Sequence, residues 1–218
     1  MNKKTIYWTG GIAAAVLIVL IFWALFGRNT DAGSSDQKNL SSYINDENEL
    51  MNQMMQDMEN IAPAGNAALD FLTGMIPHHQ AAVSMSESYL KYGGSDDELR
   101  QLAESIIQVQ KQEIQQMQTM IDDIKKQGTQ NAGQEQTYLN AYEKMLSAHH
   151  MDHASHKSPK NVDDAFAQGM IMHHQMAVDM ARAILGNTDE EQAAALAQNI
   201  IESQNAEIGQ MQAILKRS

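Results

Sequence analysis

Two pairs of adjacent histidines, His78-His79 and His173-His174, hold half of the 8 His in a chain of 218 residues. Met75 precedes the first pair by three and four positions, and Met170 precedes the second pair in the same way. On a helix these spacings bring side chains together. Thioether and imidazole groups side by side suit copper: the thioether favours Cu(I), and the imidazole accepts Cu(I) and Cu(II). The chain has 16 Met and no Cys. Disulfides, iron–sulfur clusters, thiolate zinc sites and c-type haem are therefore excluded, and Met and His remain as the ligands for a soft ion.

A helical wheel places Phe71, Met75, His78, Ala82, Met85 and Tyr89 on one face, with His79 at its margin. Downstream, Leu102, Ile106, Val109, Glu113, Met117 and Met120 share a face, with Gln110 beside them. Met170, His173, His174, Ala177 and Met180 repeat the first pattern. Ile200, Gln204, Glu207, Met211 and Ile214 repeat the second. A carboxylate within an apolar stripe is costly unless it is paired or metal-bound. Glu113 and Glu207 therefore have two readings. Each forms a structural Glu–His pair that fixes helix register, or each serves a metal site as ligand or as the group that orients a ligand histidine. The duplication of the whole set favours the metal.

Two more clusters could hold copper. Met51, Met54, Met55 and Met58 form a stripe at helical spacing among polar neighbours, either core filler or a soft-metal surface. His149, His150, Met151, His153 and His156 surround Asp152, either as a solvated loop or as a His-rich metal tract. Met120 and Met145 read as core.

The elements that must position these residues are helical throughout, and no period-2 strand appears. Residues 71–90 align with 166–185, and 102–118 with 196–212, so each half is an αα-hairpin. Two hairpins can close a four-helix bundle. The expected fold is all-α: a ferritin-like four-helix bundle from two duplicated hairpins (repeat 1 about 66–127, repeat 2 about 162–216), with accessory helices near 42–60 and 135–151 and an N-terminal transmembrane helix. Ser95 with Glu98 and Thr188 with Glu191 read as capping boxes. Pro77 should kink its helix, whereas Met172 stands at the matching position.

Ile6 to Phe26 is a nearly continuous apolar run, long enough to cross a bilayer. Lys3 and Lys4 precede it, so the N-terminus is expected in the cytoplasm and the remainder outside. Residues 1–27 are thus read as a cytoplasmic tip and signal anchor, 28–41 as a flexible linker and 42–218 as the helical metal-binding domain. A cleaved signal peptide is the alternative. The net charge of -12 argues against nucleic acid as a partner.

At MIPHHQ, followed by the QxxEIxxM pattern, the chain resembles the extracytoplasmic helical proteins of domain-of-unknown-function family 305. The resemblance covers roughly residues 45–218. It implies a ferritin-like bundle and, for some members, copper binding and tolerance through Met and His. Carried onto this chain, the implied ligands are Met75, His78, His79, Met85, Glu113 and Met117, and Met170, His173, His174, Met180, Glu207 and Met211.

The expected function is a membrane-anchored, extracytoplasmic copper-binding protein that sequesters or delivers copper, Cu(I) in preference to Cu(II), with a copper-transfer protein as a partner. One alternative is a ferritin-like di-metal oxidase. It needs about four inward carboxylates, whereas Glu87 and Asp179 face outward on the wheel. The other is a structural module with satisfied internal histidines.

Overall fold

A computed structural model describes residues 29–152 and 158–217. Among them helices are the only regular elements: α1 (Asn29–Glu59), α2 (Ala67–Lys91), α3 (Asp97–Gln127), α4 (Ala132–Asp152), α5 (Val162–Leu185) and α6 (Glu191–Arg217). The expected membrane segment lies outside the described residues. Among the described residues no helix is long and apolar enough to cross a membrane. The part from residue 40 onward forms a compact unit of its own, and it holds both repeats.

The stretch read as a flexible linker is helical from Asn29 onward and continuous with the core-facing part of α1. Lengthening an existing helix needs no new nucleus, so the packed segment from Tyr43 to Met58 carries the polar residues before it. Both repeats begin on the same cap. Asn66 Oδ1 accepts from the amides of Ala68 and Leu69 at the start of α2, and Asn161 Oδ1 accepts from Asp164 N at the start of α5. The α3 cap is Asp96, not Ser95. Ser95 instead turns to Asp163 on α5. That carboxylate accepts from Tyr89 Oη at 2.6 Å, Ser95 N at 2.8 Å, Ser95 Oγ at 2.7 Å and Asp96 N at 3.2 Å. Burial opposes its charge, but the four donors hold Asp163 below the ordinary carboxylate value. The helix α2 runs on through Pro77.

The pattern of burial sets the layering. On α3 only a stripe is buried, centred on Leu99, Leu102, Ile106, Gln110 and Met117. On α2 and α5 burial extends around most of the circumference, so these two helices form the middle of the molecule. Each packs against its hairpin partner, α3 or α6, and against the other. Their remaining faces are covered by α4 and by the long side chains of α1, among which Tyr43, Met54 and Met58 are fully buried. Close approach there depends on two glycines at matching positions in the repeats. A Cβ at Gly74 would meet Tyr142 Oη of α4 at 3.1 Å, and one at Gly169 would overlap the Glu47 carboxyl of α1.

That packing pushes Glu47 up to about 8, through burial alone. Asp70 is raised to about 6, first by burial and then by its hydrogen bond and charge repulsion with Glu135, against a lowering bond from Ala64 N. Both carboxyls keep a proton in the folded chain where the unfolded chain, at ordinary values near 4, has lost it. Their contribution to stability is therefore full below pH about 4 and is lost as pH rises, through about 6 for Asp70 and about 8 for Glu47. Urea unfolding at a series of pH values should show this decline, and Glu47→Gln should remove the part between pH 6 and 8. An unchanged slope in the variant would refute the assignment. At the α2–α3 turn, a Cβ on Gly94 would overlap the Tyr89 ring, which is pinned by a stack on Phe166 at 4.2 Å and by Asp163. Gly94→Ala should cost about 2–3 kcal/mol of stability, whereas Gly133→Ala, close to nothing but Asn131, should be silent in the same assay.

Candidate metal centre

The two tandem histidine pairs meet where α2 crosses α5. His78 Nε2 lies 2.9 Å from His173 O, and His173 Nε2 lies 3.0 Å from His78 O. A carbonyl only accepts, so each Nε2 carries the proton and each Nδ1 keeps a lone pair. The two rings lie against each other at a tilt, with centroids 3.7 Å apart and planes 39° apart. Burial, and then the neighbouring imidazoles, hold His78 and His173 well below the usual histidine range, so both are neutral.

One residue further on, a helix has turned by 100°, and the next histidines face the hairpin partners. His79 Nε2 donates to Glu113 Oε2 at 2.8 Å across α2 and α3. His174 Nε2 donates to Glu207 Oε2 at 2.6 Å across α5 and α6. This is the arrangement in which a carboxylate fixes the ring and tautomer of a ligand histidine. All four Nδ1 atoms are buried without a hydrogen-bond partner in the protein. On the same four helices Met75, Met85 and Met117 in the first repeat, and Met170, Met180 and Met211 in the second, are fully buried. Among the described residues no three His, Asp or Glu are placed to share one ion, so a metal held here would draw on thioethers.

Several positions differ from the sequence reading. Val109, expected inward, is 40% exposed, and Gln110 takes its place at 2%. Glu113 and Glu207 stand at the rim of the stripe, each with 16% of its side chain exposed. The buried polar residues of α3 and α6 are instead Gln110 and Gln204, and neither amide atom of either has a partner in the protein. Burying such a group unpaired costs about 1–3 kcal/mol. The signal for them was present in the sequence, as a glutamine at the matching register of both repeats.

Met51, Met54, Met55 and Met58 form no surface: all four are buried against the bundle, with Met58 at 1% exposure. Met120 and Met145 are core, as expected. His149 Nε2 lies 3.5 Å from Asp179 Oδ2 between α4 and α5. His150 and Met151 follow on the last turn of α4, and His153 and His156 lie outside the described residues.

The family model described as "Domain of unknown function (DUF305)" matches residues 24–121 and 69–215. Among solved structures, CopM in its Cu(I)-bound form is 31% identical, with a TM-score of 0.51 over 69% of this chain and 96% of that one. CopM in its Cu(II)-bound form is 32% identical, with a TM-score of 0.51 over 69% of this chain and 97% of that one. The Ag-bound form, obtained by soaking, is likewise 32% identical, with a TM-score of 0.51 over 69% and 95%. Comparison with curated proteins returns no match.

The tautomers are directly observable. Long-range nitrogen–proton NMR on the metal-free protein should show His78 and His173 as neutral Nε2–H imidazoles, and they should remain so at pH 5.5. Protonation of either at that pH, or an Nδ1–H signal, would overturn the clamp.

Proposed function

The chain belongs to the DUF305 family, and from that membership and the geometry of its histidines we propose an extracytoplasmic copper-binding protein that sequesters copper or hands it on. One observation carries the reading: each repeat holds a histidine by a carboxylate at Nε2 and leaves its buried Nδ1 unclaimed, on helices whose methionines at i−4 of that histidine and i+4 of that carboxylate are fully buried. The residues that would hold the ion are Met75, His79 and Met117 in one repeat and Met170, His174 and Met211 in the other. Met85 and Met180 lie on the same buried helices. Thioethers with imidazole favour Cu(I), and zinc gains little from thioethers. CopM, solved with Cu(I), with Cu(II) and with silver, lends support from a relative. The helices of the two hairpins are read as a ferritin-like bundle with α1 and α4 as a cover. The apolar run 6–26, with Lys3 and Lys4 before it, supports an uncleaved anchor. The role is binding, with no catalysis.

In this reading His78 and His173 are the structural pair and His79 and His174 the ligands. Replacing Met75, His79 and Met117 by Ala should remove about half of the tightly held Cu(I), because the other repeat keeps its own set. The matching changes at Met170, His174 and Met211 should remove the rest. Competition titration under reducing conditions measures both, with Zn(II) as the comparison ion. Loss of all copper from either triple alone would point to one shared site, and tighter binding of zinc would overturn the copper assignment.

A further inference from the structure

The methionine–histidine sets account for a reduced ion but leave Gln110 and Gln204 without a task. Each is 98% buried, each has an unpartnered amide oxygen and nitrogen, and each stands on the inward stripe of its helix. Gln110 precedes Glu113 by three residues and Met117 by seven, so the three share a flank of α3. Gln204, Glu207 and Met211 share the same flank of α6. Ser86 Oγ is also buried and unpartnered, but the second repeat has Ala181 at that position. The glutamine is therefore the oxygen donor that both repeats retain.

Thioethers satisfy Cu(I), whereas Cu(II) requires harder nitrogen and oxygen donors. The nearby carboxylates are engaged in holding His79 and His174. The carboxamides are not engaged. We propose that Gln110 and Gln204 are the oxygen ligands that let each thioether–imidazole site hold copper in its oxidised as well as its reduced state. This rests on the copper reading above and extends it from one oxidation state to two.

The test is the full-length chain carrying both Gln110→Leu and Gln204→Leu, beside a second variant carrying both Gln110→Glu and Gln204→Glu. Cu(I) affinity is measured with a reductant and a competing chelator, and Cu(II) affinity without the reductant. Electron paramagnetic resonance of the Cu(II) form and thermal unfolding of the metal-free form complete the set. In the leucine variant Cu(I) affinity should stay within about threefold of wild type while Cu(II) affinity falls by about tenfold or more, with a changed resonance spectrum. The metal-free variant should unfold at the same temperature or higher, since an unpartnered amide has been replaced by an apolar group of similar size. The glutamate variant should keep or strengthen Cu(II) binding. Wild-type Cu(II) affinity and spectrum in the leucine variant would overturn the proposal. So would an equal loss of both oxidation states together with lowered thermal stability, which marks a structural residue. Wild-type protein that binds copper in neither state would sink the copper reading itself, a result distinct from wild-type binding that the leucine variant leaves intact.

Discussion

The bundle depends on the way α2 and α5 satisfy each other at their crossing. Helices buried around most of their circumference cannot carry an imidazole without a partner for its N–H, because no water is at hand to supply one. His78 and His173 solve this reciprocally, each giving its proton to the other's backbone carbonyl. The exchange keeps the residues on either side in register. It turns His79 and His174 away from the shared interface and toward α3 and α6, where Glu113 and Glu207 receive them. One contact between the repeats thus decides the orientation of two groups within them.

Charge follows the same division. The His78–His173 pair is neutral and adds no net charge at the centre. The two carboxylates stand at the rim, partly in contact with water. A monovalent cation bound at Nδ1 of His79 or His174 would be balanced through the ring by one carboxylate.

Much of this was legible in the chain because the repeat is strict. Eleven identities between residues 71–90 and 166–185 mark the central helices, and the periodic apolar positions of 102–118 and 196–212 mark their partners. What the wheel misplaced lies within one residue of the truth. Val109 and Gln110 are 100° apart, and hydrophobicity favoured the wrong one; the angle at which α3 meets α2 decides, and no local pattern records it. Ser95 and Asp96 are both good caps, and the choice falls to Asp163, far away in the chain. The methionine stripe of α1 could be read as core or as surface because its neighbours are polar. The partner that buries it belongs to other helices, which composition cannot reveal. The tandem histidines were visible, but their division of labour depends on which helix each one faces.

The two glycines of the middle layer, places of close approach, also serve to tell one repeat from the other. Helices α2 and α5 are so alike at their crossing that either could present the same imidazole and carbonyl to a copy of itself, within one chain during folding or between two chains. Repeat proteins are prone to such mispairing. The outer layer removes the ambiguity, since the Glu47 carboxyl packs into Gly169 on α5 while Gly74 on α2 receives the hydroxyl of Tyr142. An assembly that exchanged the two helices would satisfy the histidines equally well, yet it would set a carboxyl where a phenol belongs, so the covering helices act as proofreaders of a symmetric core.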